Sequence, residues 1–158
     1  MINWIVNYIN EQFPKSFIAK HLARVVLYEL DGIEALYPNV KQLAKRLLVV
    51  MESKNKPIYI VPVTGTFRNI KQQNTLSSGV TNAGGLQSYH QYGLAFDIAF
   101  KNYNWSPPSF DWWNELGKEG EKLGLIWGGS FQDYGHFEWH GRNESMTWQK
   151  LKPYFTNE

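Results

Sequence analysis

The sequence predicts a single α+β domain in which helices pack on one face of a small, mostly antiparallel sheet. Apolar residues in the first third of the chain recur at helical spacing, whereas later segments alternate with the period of two that is typical of strands. A length of 158 residues corresponds to one domain, and 43% hydrophobic with 19% charged residues is the composition of a folded chain.

Three helices are predicted in this first third. Apolar residues recur at helical spacing through residues 4–13 and again through residues 17–30, where Gly32 would serve as the C-terminal cap. The third helix has Asn39 as its N-cap and an apolar stripe over residues 40–51. These helices would supply one layer of the domain.

The pattern then changes to that of strands. Residues 58–63 form a short β-rich run. A short helix around residues 72–76 follows, and then a polar, Gly-rich loop over residues 77–88. Residues 92–100 alternate, with large apolar side chains on one face and small residues around a lone carboxylate, Asp97, on the other. This segment is the best candidate for a central strand.

A further helix and two strand candidates complete the domain. The helix begins at Ser109 as N-cap and stops at Gly124. Residues 125–127 and 136–140 are the strand candidates, separated by a turn that contains two consecutive glycines. Helices first and strands clustered later favour the α+β class over a parallel α/β fold.

The composition also limits the function. A formal net charge of only +2 argues against nucleic acid as a partner. The absence of Cys excludes disulfides and thiolate nucleophiles, so His, Asp, Glu, Ser, Thr or water must carry any chemistry. No stretch predicts membrane insertion, and the N-terminus does not resemble a Sec signal, so we expect synthesis in the cytoplasm. We also expect a monomer.

Two segments, residues 88–97 and 127–136, carry groups that are suited to metal chemistry. A catalytic zinc ion needs three protein ligands and an open position, and it accepts His nitrogen and Asp oxygen. His90, Asp97 and His136 supply such a set for one Zn²⁺ per chain. The small residues around Asp97 leave room for the ion, which would offset the cost of burying that carboxylate.

Other residues near these segments have more than one interpretation. Asp133 could reach the open position as a proton-transfer group, or it could simply form the turn. Because His136, Glu138 and His140 share one strand face, Glu138 or His140 could enter the metal shell or support it from outside. His21 lies on an apolar helix stripe and is expected in the core or at its boundary.

The seven Trp residues permit an interpretation as platforms for sugar stacking, because aromatic faces bind sugar rings. Trp112 and Trp113 have helical spacing with apolar neighbours and are expected in the core. Trp127, in the turn before the second segment, is the better candidate for a residue that lines the substrate cleft.

The pattern S-x-H-x-x-G-x-A-x-D, followed by W-G-G and D-x-x-H-F, resembles the VanY-like zinc peptidases of bacterial cell walls. That family includes D-alanyl-D-alanine carboxypeptidases and L-alanyl-D-glutamate endopeptidases, many of them phage endolysins. The resemblance implies a fold like that of the hedgehog and DD-peptidase domains, zinc bound by His90, Asp97 and His136, and Asp133 as the catalytic acid and base.

The resemblance also implies roles for residues outside the ligand set. Arg68 lies in a Thr-Phe-Arg that is similar to the family's Gly-Tyr-Arg and would stabilise the oxyanion. Gln73 and Ser88 match positions that contact the substrate. The Asp in D-x-x-H is more similar to the endopeptidases, whereas Ser130-Phe131 departs from the Asp-Trp that these often carry.

The expected function is hydrolysis of an amide bond in the stem peptide of peptidoglycan, and the L-alanyl-D-glutamate bond is the first choice. The alternatives are a D-alanyl-D-alanine carboxypeptidase and a non-catalytic, zinc-stabilised module that binds the cell wall. Residues 1–37 are predicted to form a helical extension packed on a catalytic domain of residues 38–158. Without a Sec signal, the enzyme would reach the wall after holin-type release.

Overall fold

The chain forms five α-helices and one four-stranded antiparallel sheet within residues 14–76 and 85–155, the part that the computed structural model describes. The helices are α1 (Pro14–Leu27), α2 (Pro38–Ser53), α3 (Ile70–Thr75), α4 (Asp111–Lys122) and α5 (Trp148–Leu151). The strands are β1 (Ile58–Ile60), β2 (Ala95–Phe100), β3 (Ile126–Trp127) and β4 (His136–Glu138). They lie in the order β1-β2-β4-β3, so the predicted α+β class is confirmed.

The register between β2 and β4 separates the two faces of the sheet. Phe96 pairs with Phe137, and their rings stack 5.7 Å apart on the core face. The next pair along the strands, Asp97 and His136, points to the opposite face because side chains alternate. The register therefore places two of the predicted metal ligands side by side.

Helices α2 and α4 cover the core face. The Phe100 ring contacts Trp112 and Trp113 of α4, with ring centroids 5.2 and 4.8 Å away. Trp113 is buried, as the sequence predicts, and Trp112 packs against the core. The buried face of α2 consists of Val40, Ala44, Leu47 and Met51. Burial of each large apolar side chain stabilises the fold by about 1.5–3 kcal/mol.

Helix α1 ends at Leu27, five residues before the Gly32 that the sequence indicates as its cap, so that prediction is wrong. The chain turns at Glu29, which adopts a left-handed conformation with φ of 49°. The N–H of Leu30 then donates to the carbonyl of Val25 at 3.0 Å, which closes the helix early. A residue other than glycine takes the capping conformation here, so the position of the nearest glycine does not mark the end of the helix.

Other element boundaries also differ from the prediction. Helix α2 starts at Pro38 with Tyr37 as its N-cap, not Asn39, because proline is favoured in the first helical turn. The β-rich run is only three residues long as a strand, and Val63 beyond it has a left-handed φ of 63°. Helix α4 begins at Asp111 with Phe110 as its N-cap, not Ser109, but it is followed by Gly124 as predicted.

Residues 14–37 pack against the rest of the domain. Ile18, His21 and Val25 are buried, which confirms the expectation for His21. Its Nε2 lies 2.9 Å from the carbonyl oxygen of Ala35, and burial lowers its pKa. The predicted helix over residues 4–13 and most of the 77–88 loop lie outside the described residues. The domain boundary at residue 37 stays a prediction.

No helix within the described ranges is long and apolar enough to cross a membrane.

Candidate metal centre and active site

The three predicted ligands come together on the face of the sheet away from α2 and α4. One ligand atom from each of His90, Asp97 and His136 lies within 4.8 Å of the others. Asp97 Oδ1 is 2.9 Å from His136 Nδ1 and 3.3 Å from His90 Nε2. The two nitrogen atoms are 3.2 Å apart. Two imidazoles and a carboxylate therefore converge on one point.

His90 is positioned by the backbone around it. It lies in a 3₁₀ turn (Tyr89–Tyr92), and its Nδ1 is 2.7 Å from the carbonyl oxygen of Thr66. A carbonyl only accepts hydrogen bonds, so Nδ1 carries the proton and Nε2 presents its lone pair. Burial lowers the pKa of His90, which keeps the ring neutral. This is the state that binds a metal ion.

His136 is positioned by side chains instead. Its Nδ1 faces Asp97, while its Nε2 is 2.9 Å from Glu138 Oε1. Burial alone would lower the pKa of His136, but hydrogen bonds with the two carboxylates raise it to about 10. Without a bound cation, this ring therefore holds a second proton at neutral pH.

Glu138 and His140 lie beside this cluster and not among its three converging donors. His140 Nε2 is 2.7 Å from Glu138 Oε2, and the His140 ring stacks on Tyr89 with centroids 4.1 Å apart. Burial would raise the pKa of Glu138, but the hydrogen bonds with His136 and His140 lower it to about 2. The carboxylate is therefore ionised and shared between two rings.

Arg68 contacts the cluster at Asp97. Its Nη2 is 2.9 Å from Asp97 Oδ2, and its Nη1 is 3.5 Å from Gln73 Oε1. Burial would raise the pKa of Asp97, but the nearby His90 and His136 hold it well below its usual range. Ser88 is the N-cap residue of the turn that carries His90. Substrate roles for Arg68, Gln73 and Ser88 stay predictions.

Asp133 lies at the solvent-exposed edge of the site, in the turn after β3. Its N–H donates to Gly128 at 3.0 Å, and its carbonyl accepts from the His136 N–H at 3.1 Å. Partial loss of hydration raises the pKa of the Asp133 carboxyl, although the charge of His136 opposes this shift. The turn needs glycine at position 128, because a Cβ there would lie 2.4 Å from the Asp133 carbonyl oxygen.

Trp127 lies on the other side of this turn. Its indole N–H donates to the Tyr134 carbonyl at 2.8 Å, and its ring lies against Gly117 of α4. These contacts stabilise the turn, and a substrate contact for Trp127 stays a prediction. Phe131 is 55% exposed, with its ring 5.9 Å from that of His136.

Sequence reasoning missed one support of the site and indicated a second only in part. The Thr66 carbonyl that holds His90 leaves no signal in the sequence, because every residue has a carbonyl group. The pairing of Glu138 with His136 had a partial signal, since residues two apart on a strand share a face. The sequence indicated that shared face but not which ring nitrogen the carboxylate contacts.

A His-Asp-His donor set on the open face of a small sheet, with a carboxyl group at its edge, is the arrangement of a metal-dependent hydrolase. Comparison with known proteins agrees with this class. A family model described as D-alanyl-D-alanine carboxypeptidase matches residues 81–139. The chain is also 35% identical over 124 residues to the peptidoglycan L-alanyl-D-glutamate endopeptidase CwlK of Bacillus subtilis (strain 168). The match covers 65% of this chain and 72% of that relative. The protein therefore belongs to the M15 peptidase family, and the prediction of an enzyme is confirmed.

Solved structures confirm the fold. The L-Ala D-Glu endopeptidase ChiX of Serratia marcescens has a TM-score of 0.53 at 17% identity, covering 72% of this chain and 86% of that chain. A mutant of the vancomycin resistance D,D-pentapeptidase VanY in complex with Zn(II) has a TM-score of 0.51 at 13% identity, covering 77% and 84%. At these identities the likeness concerns the fold alone.

Proposed function

We propose that the protein is a zinc-dependent peptidoglycan endopeptidase that hydrolyses the L-alanyl-D-glutamate bond of stem peptides. The observation that carries the proposal is the convergence of His90 Nε2, Asp97 Oδ1 and His136 Nδ1. The 35% identity to an L-alanyl-D-glutamate endopeptidase supports the choice of bond.

The donor set fits zinc. Two imidazole nitrogens and one carboxylate oxygen are ligands that catalytic zinc sites use, with one position left for water, and His136 would release its second proton when the ion binds. The other nitrogen of each ring already has a partner, the Thr66 carbonyl for His90 and the Glu138 carboxylate for His136. Such outer contacts orient metal ligands in known sites. When bound, zinc would lower the pKa of water and polarise the scissile carbonyl.

Asp133 is the proposed acid and base. Its carboxyl lies at the open edge of the site, where a raised pKa suits a group that must both take and give a proton. It would accept a proton from the attacking water and deliver that proton to the leaving nitrogen. The turn built on Gly128 holds the Asp133 backbone against His136, so the carboxyl stays close to the ligand cluster.

Arg68 supplies positive charge at the reaction centre. Its guanidinium is held by Asp97 and lies next to Gln73, so its position is fixed before substrate binds. A preorganised cation stabilises the negative charge that develops on the scissile oxygen. Gln73 and Ser88 would line the adjoining wall, with Trp127 on the side of the β3 turn.

A D-alanyl-D-alanine carboxypeptidase is the second candidate, because the matching family model carries that description. Digestion of purified sacculi by the zinc-loaded enzyme, followed by mass spectrometry of the products, distinguishes the two. The endopeptidase would release peptides with a new amino-terminal D-glutamate. Loss of a terminal D-alanine alone would contradict the proposed bond.

The role of Asp133 has its own test. Asp133→Asn should bind about one zinc ion per chain and melt near the wild-type temperature, because the carboxyl is not a proposed ligand. We expect turnover of sacculi to fall about 100- to 10,000-fold, the usual contribution of general acid-base catalysis. An active Asp133→Asn variant would show that another group moves the proton.

A further inference from the structure

Both oxygens of the Glu138 carboxylate are engaged by histidine rings. Oε1 is 2.9 Å from His136 Nε2, and Oε2 is 2.7 Å from His140 Nε2. The Glu138 side chain is 16% exposed, so these partners replace most of its contact with water. A largely buried carboxylate with two such partners is fixed in orientation.

The strand geometry explains how Glu138 reaches His136. The two residues are two apart on β4 and therefore project from the same face. Glu138 lies opposite Ala95 of β2, and the small side chain of Ala95 leaves room for the carboxylate. The carboxylate thus meets the side of the His136 ring that faces away from Asp97.

The second ring connects Glu138 to the other half of the site. His140 stacks on Tyr89 with an interplanar angle of 16°, and Tyr89 immediately precedes His90. The stack therefore joins the end of β4 to the turn that carries the other histidine ligand. A substitution of His140 would therefore affect both Glu138 and the turn that carries His90.

We propose that Glu138, held by His140, is a positioning residue that makes Nδ1 of His136, and not Nε2, the metal-binding atom. The Glu138 carboxylate occupies the Nε2 side of the His136 ring, so a metal ion can approach this ring at Nδ1, the nitrogen that faces Asp97 and His90. The inference rests on the proposed function in one respect, the identity of the ion as zinc. Glu138 does not touch the substrate in this scheme.

Zinc affinity of graded variants tests the proposal, measured with zinc alone by competition against a chromophoric chelator. Glu138→Ala should weaken binding about 10- to 100-fold, as loss of an outer partner usually does. Glu138→Gln should recover part of this loss, because its amide oxygen can still accept from Nε2–H but carries no charge. His140→Phe keeps an aromatic ring against Tyr89 and should give a smaller loss than Glu138→Ala.

Glu115→Ala is the matched control, since that carboxylate binds Lys54 and Lys56 and has no contact with the site. It should bind zinc as the wild type does. Nitrogen-15 NMR of the zinc-loaded wild type should show His136 bound through Nδ1 with a proton on Nε2, a signature that a purely structural role would not predict.

The outcomes separate this inference from the proposed function. If the wild type binds no zinc, the proposed function fails first. If the wild type binds zinc but Glu138→Ala binds it equally well, or Glu138→Gln loses as much as Glu138→Ala, the positioning role is wrong. Coordination of His136 through Nε2 would also overturn it.

Discussion

The two histidines of the cluster are prepared for metal binding in different ways. His90 is 2% exposed, its outer nitrogen contacts a backbone carbonyl, and its pKa is lowered. His136 has a carboxylate at each ring nitrogen, and its pKa is raised to about 10. One ligand is neutral before the ion arrives, whereas the other must first lose a proton. Backbone support and side-chain support thus produce opposite protonation states within one cluster.

Asp97 contacts both histidines, so its replacement should have the largest effect on zinc binding. Asp97→Asn removes the charge that both histidines and Arg68 contact. Zinc affinity should fall by more than about 100-fold, since even outer partners contribute about 10- to 100-fold. The loss of one partner from a buried ion pair should also destabilise the fold by about 3–5 kcal/mol. Competition titration and thermal melting measure the two effects.

Glu121→Gln is the control for this substitution, because Glu121 is an exposed carboxylate on α4. It should leave zinc affinity and melting temperature unchanged. Retention of tight zinc binding by Asp97→Asn would show that the two histidines do not need a shared carboxylate, and the cluster would have to be redrawn.

The opposite pKa shifts predict a difference that titration can detect. In chelator-treated protein, proton NMR should show His136 charged up to about pH 10, while His90 stays neutral at pH 7. Because the folded pKa of His136 lies above its unfolded value of about 6.5, its stabilising contribution is complete below that pH. The contribution is lost as the pH rises through about 10, so the metal-free protein should melt several degrees lower at pH 10 than at pH 7.

Asp97→Asn should reduce the drop in melting temperature between pH 7 and pH 10, because it removes one of the two carboxylates that raise the pKa of His136. If both histidines titrate together near pH 6.5, the contrast between backbone and side-chain support is wrong.

The sequence predicted residues better than it predicted their partners. The alternation over residues 92–100 placed Asp97 on the face with small residues, and the structure confirms this placement. The pairing of Asp97 with His136 across the two strands was not predicted. The position of the glycine after α4 was also correct, because Gly124 adopts the left-handed conformation that a C-terminal cap uses. Local patterns of this kind depend on neighbouring residues, so the sequence carries them.

Contacts between distant segments were not predictable in the same way. The stack of His140 on Tyr89 and the pairing of Arg68 with Asp97 join residues far apart in the chain. No local spacing encodes them. The stack depends on how the turn before β2 meets the residues after β4, and the ion pair depends on how the segment before α3 lies against β2. The early end of α1 at Leu27 was missed for a different reason, since Glu29 adopts a conformation that favours glycine.

The backbone that supports His90 is tested by the difference in stability between two glycine variants, a smaller effect than the loss of zinc binding expected for Asp97→Asn. Gly93 ends the His90 turn with φ of 67°, and a Cβ there would lie 2.9 Å from the Ala35 carbonyl oxygen. Gly124 also has a positive φ, 88°, but a Cβ on that residue would have nothing within 4 Å of it. Both alanine variants carry about 1–2 kcal/mol of left-handed strain. Gly93→Ala should lose about 1–3 kcal/mol more because of the clash, measured by denaturant unfolding. Equal stability of the two variants would mean that the backbone at the end of the His90 turn moves away from Ala35 at little cost.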